Sequence, residues 1–118
     1  MNNKTYCFDL DGTLCSQIDP ENYGEGADPS KIYELAVPFE NRIKIVNSLY
    51  DEGNIILIDT ARGSKLGNKK HWSDVTQKQL KQWGVKYHKL RVGEKLVADQ
   101  YIDDRGIHDS LFFDNEIS

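Results

Sequence analysis

The sequence predicts an α/β protein built on a doubly wound, mainly parallel sheet with helices on both faces. Three observations carry that reading. Short apolar runs of strand character alternate with segments of helical periodicity. Each of those runs is followed at once by a polar stretch rich in Asp, Thr or Gly. The chain is 118 residues long, which suits one domain, 1–118, of ordinary size.

The elements follow in order. Residues 4–10 are aromatic and apolar, end in acids and a glycine, and read as the first strand. Residues 16–37 carry Pro20, Gly24, Gly26 and Pro29 among scattered acids and suit an irregular flap. A helix is expected from Pro38 onward, with Ile43, Val46 and Tyr50, joined by Ile45 and Leu49, on its apolar face and Gly53 at its end. The continuous run Ile55–Ile58 fits a strand buried on both faces. A polar loop, 61–72, leads to a second helix starting near Ser73 or Asp74, where Asp74 and Gln77 have capping-box spacing. Leu80 and Trp83 give that helix an apolar side, and Gly84 ends it. Residues 86–92 read as a third strand and Gln100–Ile102 as a fourth, stopped by Asp103 and Asp104. The apolar Leu111–Phe113 packs a last short segment on the core. No repeat or low-complexity stretch interrupts this order.

Composition bounds the function. The apolar share of 38% supports one core, and no run approaches the roughly 20 residues of a membrane span. The first residues lack the apolar centre of a signal peptide, so a cytoplasmic protein is expected. The two cysteines, Cys7 and Cys15, flank the first polar motif. A disulfide is not expected in a reducing compartment, and no Cys/His set has zinc-site spacing. Residues 62–95 hold ten Lys or Arg and two acids, whereas the rest holds five Lys or Arg and seventeen acids. Such a run is usually a solvated basic face. Here it lies between the candidate phosphate motifs, which suits an anionic substrate without requiring nucleic acid.

Three motifs carry chemistry, each at a strand end, where ligands bind in parallel α/β sheets. In Phe8-Asp9-Leu10-Asp11-Gly12-Thr13, two neighbouring carboxylates repel unless a cation or a shared proton compensates. Gly12 lets the backbone approach a ligand, and its amide and those after it can face an anion. The calcium-loop alternative fails on spacing and on the missing bidentate Glu. In Ile58-Asp59-Thr60-Ala61-Arg62-Gly63, the Thr60 hydroxyl and the Arg62 fork can hold phosphate oxygens. Asp59 either orients the loop or lies on the surface. In Tyr101-Ile102-Asp103-Asp104-Arg105, the acids can complete a site for hard Mg²⁺, although Asp104 equally suits a helix cap. Lys95, eight residues before Asp103, can neutralise a carboxylate and a phosphate together.

Taken together, these residues resemble the haloacid dehalogenase-like (HAD) superfamily of phosphotransferases, over residues 4 to about 105. Its motifs are matched in order by Asp9, Asp11 and Thr13, then Thr60, then Lys95, then Asp103 and Asp104. The resemblance implies a Rossmann-like fold, here without a separate cap domain because 16–37 and 61–72 are too short for one. It implies that Asp9 is the nucleophile, forming an aspartyl-phosphate, and that Asp11 is the general acid and base. Phosphate would be held by Gly12, Thr13, Thr60, Ala61, Arg62 and Lys95. Mg²⁺ would be held among Asp9, Asp11, Asp103 and Asp104. Lys69, Lys70 or Lys89 stand as substitutes for Lys95, because the stretch before Asp103 is short for a crossover helix. Thr60-Ala61-Arg62-Gly63, residues 78–87 and residues 101–104 look more narrowly like small HAD phosphatases of capsular and surface-polysaccharide gene clusters.

The expected activity is hydrolysis of a small phosphorylated metabolite such as a sugar phosphate, with a nucleotide or polynucleotide as the alternative. A different class, the response-regulator receiver domain, shares this length, an acid pair and a phosphorylated Asp. It would need Asp59 as acceptor and would leave Asp103 and Asp104 without a purpose.

Overall fold

A computed structural model describes residues 4–17, 31, 33–62, 69–95 and 98–117. The centre of the expected flap, 18–30, and residues 63–68 of the 61–72 loop lie outside the described residues, as do the side chains of Lys69 and Lys70. Three parallel strands, β1 (Thr5–Phe8), β2 (Ile55–Thr60) and β3 (Lys89–Val92), form a sheet of order β1-β2-β3. The named helices among the described residues are α1 (Glu40–Asp51), α2 (Lys69–Gln82) and α3 (Asp109–Ile117). The reversal of strand order that defines double winding is not among the described strands.

The first helix shows how local sequence sets the frame. Pro38 lies two residues ahead of α1 rather than inside it, and Phe39 occupies the N-cap without a side-chain cap. The reason lies in the first motif: Pro38 bridges to Cys15, and the Phe39 amide donates to the Leu14 carbonyl at 2.9 Å. Ile43, Val46 and Leu49 are buried, three residues apart along one side of the helix. Each such side chain contributes about 1.5–3 kcal/mol on burial. Gly53 ends the helix at φ +99°, a left-handed conformation that glycine adopts without steric cost. The buried Asn54 then joins elements: its side-chain amide donates to the Leu49 carbonyl at 3.0 Å and its oxygen accepts the Lys4 amide at 3.0 Å.

The sheet departs from the expectations in two places. On β2, Ile56, Ile58 and Thr60 are buried while Leu57 and Asp59 on the other face are half-buried, so the strand is not buried on both faces. The fourth strand does not form. Residues 100–102 lack strand pairing, and Ile102 is 92% exposed. One Asp103 carboxylate oxygen instead accepts the amides of Arg105 and Gly106, at 2.7 and 2.5 Å. Such local capture of backbone donors competes with a strand ladder. β3 begins at Lys89, three residues later than expected, because the His88 amide already donates to the Ile56 carbonyl and its ring accepts the Ile56 amide.

α2 begins at Lys69, a full turn before Ser73, and Gln77 donates to the Ser73 hydroxyl at 2.9 Å inside the helix rather than at a cap. Its buried face is Trp72, Thr76, Gln79 and Leu80, with Trp83 half-buried. Gly84 follows at φ +70°, as the sequence suggested. α3 brings Phe113, 1% exposed, against the Phe8 ring at 5.9 Å, while Leu111 stays exposed.

Candidate active site

Because the strands are parallel and in register (Phe8 beside Ile58, Thr60 beside Val92), their carboxyl ends meet at one edge of the sheet. Asp9, Asp59 and Lys95 therefore come together from segments far apart in the chain. They line a cleft of about 780 Å³ with Thr13, Tyr101, Asp103 and residues 105–109. Its inner wall follows β1 from Thr5 to Phe8 and continues into Phe112 and Phe113 of α3.

Asp9 is the centre of the cleft's polar end. The Lys95 ammonium lies 3.5 Å from one of its carboxylate oxygens. Burial pushes the Asp9 carboxyl above its ordinary range, and Lys95 opposes that shift. A carboxylate facing a cation at this distance has part of its negative charge offset. Lys95 also sits 4.9 Å from the Tyr101 ring centroid, within cation–π range. Lys95 is thus the lysine placed at Asp9, in preference to Lys89 on exposed β3.

Asp11 and Arg62 are placed otherwise than expected. Arg62 was expected to reach phosphate, but its side chain is fully buried and forms a fork on Asp11, Nε to Oδ2 at 2.9 Å and Nη2 to Oδ1 at 2.8 Å. Nη1 donates to Gln79 at 2.5 Å and lies 3.5 Å from the Thr76 hydroxyl. The guanidinium carbon lies 4.6 Å from the Tyr33 ring centroid. The physical reason is that α2 presents polar Thr76 and Gln79 on its buried face, and these acceptors together with Asp11 satisfy the guanidinium. Both Asp11 oxygens are therefore occupied, and Asp11 does not line the cleft. Cys15 closes the network, its thiol 3.5 Å from Asp11. Burial, reinforced by the Asp11 charge, pushes that thiol up to about 12.

The remaining candidates separate by position. Gly12 turns the chain at φ +84°, and its amide donates to the Cys15 carbonyl at 2.8 Å. Thr13 lines the cleft, and its carbonyl accepts from Arg42 at 3.0 Å. Thr60 is buried, and its hydroxyl accepts the Arg62 amide at 3.2 Å instead of facing the cleft. Ala61, between them, is half-buried. Asp103 lines the cleft, whereas Asp104 is exposed and does not. Backbone donors from Gly106 and Arg105 hold the Asp103 carboxyl below the usual carboxylate range.

Asp59, left open by the sequence, forms a fork with its cross-strand partner Arg91, at 2.9 and 2.6 Å. Sequence reasoning missed Arg42, which joins three elements. It donates to the Thr13 carbonyl, pairs with Asp109 at 2.6 Å and lies 4.8 Å from the Phe113 ring centroid. Its position on the helix after the first motif was the available signal.

The charge asymmetry also resolves. Of the ten cations in 62–95, Arg62, Lys86, Arg91 and Lys95 lie within ion-pair distance of Asp11, Asp51, Asp59 and Asp9. Part of the basic run is therefore neutralised by acids from outside it. Among the described residues no group of three or more His, Cys, Asp or Glu is placed to hold a metal ion, and no helix is long and apolar enough to cross a membrane.

No family model matches the chain, and no curated protein matches it. Solved structures do. A crystal structure of an MCSG target from Vibrio cholerae is 25% identical, with 93% of this chain and 87% of that one covered and a TM-score of 0.71. A chain of the Pnkp1/Rnl/Hen1 complex is 18% identical, with a TM-score of 0.52, and 95% of this chain covers 34% of that one. The second likeness is one of fold alone.

Proposed function

We propose that this chain is a Mg²⁺-dependent phosphomonoesterase of the haloacid dehalogenase type, acting on a small phosphorylated metabolite with Asp9 as nucleophile. The observation that carries the reading is Asp9 held 3.5 Å from Lys95 in a cleft at the carboxyl end of the parallel sheet. The order of the Asp9, Asp11, Thr13, Thr60, Lys95 and Asp103 motifs supports it, and so does the likeness of fold to the solved structures.

The chain's own residues account for the steps. Lys95 attracts the phosphate and offsets its repulsion from Asp9, which brings nucleophile and phosphorus together. An Asp9 oxygen forms a bond to phosphorus as the ester P–O bond breaks, leaving an aspartyl-phosphate. The departing oxygen takes up a proton, expected from Asp11. Because both Asp11 oxygens accept from Arg62, that transfer requires the fork to open. Water then attacks phosphorus, its proton passing to Asp11 as general base, the P–O bond to Asp9 breaks, inorganic phosphate leaves and the Asp9 carboxylate returns with Asp11 reprotonated.

Mg²⁺ takes one or two carboxylates with water and substrate phosphate, and Asp9 and Asp103, the members of the expected set that line the cleft, would hold it. Bound there, it would supply positive charge between the nucleophile and the phosphate. The receiver alternative needs Asp59 as acceptor, and Asp59 is held by Arg91 through both oxygens.

The test is release of inorganic phosphate from p-nitrophenyl phosphate with Mg²⁺ and with EDTA, alongside Asp9→Asn. Mg²⁺-dependent turnover that Asp9→Asn abolishes is the expected result. Undiminished turnover in Asp9→Asn would sink the mechanism.

A further inference from the structure

We infer that the cleft selects phosphomonoesters whose alcohol carries a flat aromatic group, a nucleoside in chemical class, over bare sugar phosphates. The inference rests on the phosphomonoesterase reading for the position of the phosphate, and on the cleft wall for the rest of the substrate. Lys95 marks the phosphate end, and Tyr101, 54% exposed, stands beside it. From there the wall runs along β1 past Tyr6, which is half-buried, to Phe112 of α3, the two rings lying 5.8 Å apart. Ile107, 59% exposed, adds apolar surface to the same cleft.

The polar inventory argues the same way. A sugar is held by many directed donors and acceptors, above all carboxylate and amide side chains. Among the described residues the cleft is lined by no Asn or Gln, and two of its carboxylates are already committed, Asp59 to Arg91 and Asp109 to Arg42. Among the described residues, Tyr6, Phe112 and Ile107 give this wall ring and aliphatic surface, beside the polar Thr5, Arg105 and His108. Such a surface favours stacking of a base, which is tolerant of base identity because every base has a π-face. A polynucleotide is not favoured, because among the described lining residues Lys95 and Arg105 are outnumbered by Asp9, Asp59, Asp103 and Asp109 and form no basic track.

The discriminating pair is adenosine 5′-monophosphate and ribose 5-phosphate, which share the phosphate and the pentose and differ in the base. Their binding to the metal-free protein and to the Mg²⁺-loaded protein is measured by calorimetry, together with kcat/KM where turnover occurs. The nucleotide should bind roughly 5- to 150-fold more tightly, the range that base stacking on aromatic side chains provides. Tyr101→Ala, at an exposed position, and Tyr6→Leu, which keeps bulk without the aromatic ring, should each shrink that ratio. A general loss at the phosphate end cancels in the ratio. Equal binding, tighter ribose 5-phosphate, or no binding of either would overturn the inference. Hydrolysis of p-nitrophenyl phosphate without nucleotide preference would overturn it and leave the phosphatase reading standing. A nucleotide preference in a protein that hydrolyses nothing would uphold the subsite and remove the phosphatase reading.

Discussion

Removing Arg62 tests the central piece of the site's architecture. Its side chain is fully buried and the Asp11 side chain is only 11% exposed, so Arg62→Met leaves a desolvated carboxylate without its fork. Breaking a buried pair by deleting one partner costs about 3–5 kcal/mol. A domain of this size has a total stability of about 5–15 kcal/mol, so the variant should lose about a fifth of it or more. The midpoint of thermal unfolding should fall on the order of 10–25 °C. Urea unfolding of the parent, Arg62→Met, Asp11→Asn and the double variant would measure the cycle. The double variant should be less unstable than the sum of the single ones, because its residual partner is neutral. Arg62→Lys should fall between parent and Met, since an ammonium keeps the charge but cannot form the fork. A loss below about 1 kcal/mol in Arg62→Met, or strict additivity in the cycle, would refute the view that this pair is a desolvated tie between the first motif and α2.

Three further outcomes are expected. Gly12→Ala should cost roughly 1–2 kcal/mol for a left-handed residue, because φ is +84° and the added Cβ meets only the movable Gln17 amide, at 2.9 Å; rescue by Gln17→Ala would assign the cost to that contact instead. Cys15, with its thiol pushed up to about 12, should resist iodoacetamide in the native protein at mildly alkaline pH while exposed Cys7 reacts, as read by mass spectrometry. The folded value lies above the unfolded thiol's, about 8.5. The stability linked to it is therefore fully present below that pH and lost as pH rises towards the folded value, and equal labelling of both thiols would contradict the burial. Asp9 is likewise raised by burial, so its favourable contribution is complete below about pH 4 and lost as pH climbs through the raised value. In EDTA at pH 7, Asp9→Asn should therefore unfold at no lower temperature than the parent; a lower midpoint would mean that the Lys95 attraction outweighs the burial.

Much of the sheet was legible because its signals are local. The apolar runs around Phe8, Ile58 and Val92, the helical spacing of Ile43, Val46 and Leu49, and the glycines at 53 and 84 each act within a few residues. The start of α2 was not legible. Its buried face is half polar, with Thr76 and Gln79 serving Arg62, and an apolar periodicity cannot register residues buried for their hydrogen bonds. Tyr101 and Ile102 have strand character, yet Asp103 draws the following amides to itself. That competition between side chain and ladder has no strong composition signal.

The sequence by itself determined which residues stand at the strand ends: Asp9, Asp59 and Thr60 follow or close apolar runs, and parallel pairing brings such positions to one edge, whereas Lys95 was one of several lysines it allowed. Only the tertiary structure decided how they divide. Asp9 and Lys95 meet at the cleft, while Asp11 and Arg62 turn inward, and Asp59 takes Arg91 from the neighbouring strand. A carboxylate's role depends on which cation the fold brings within about 4 Å of it. That partner lay 86 residues away for Asp9, 51 for Asp11 and 32 for Asp59, well beyond the reach of any local pattern.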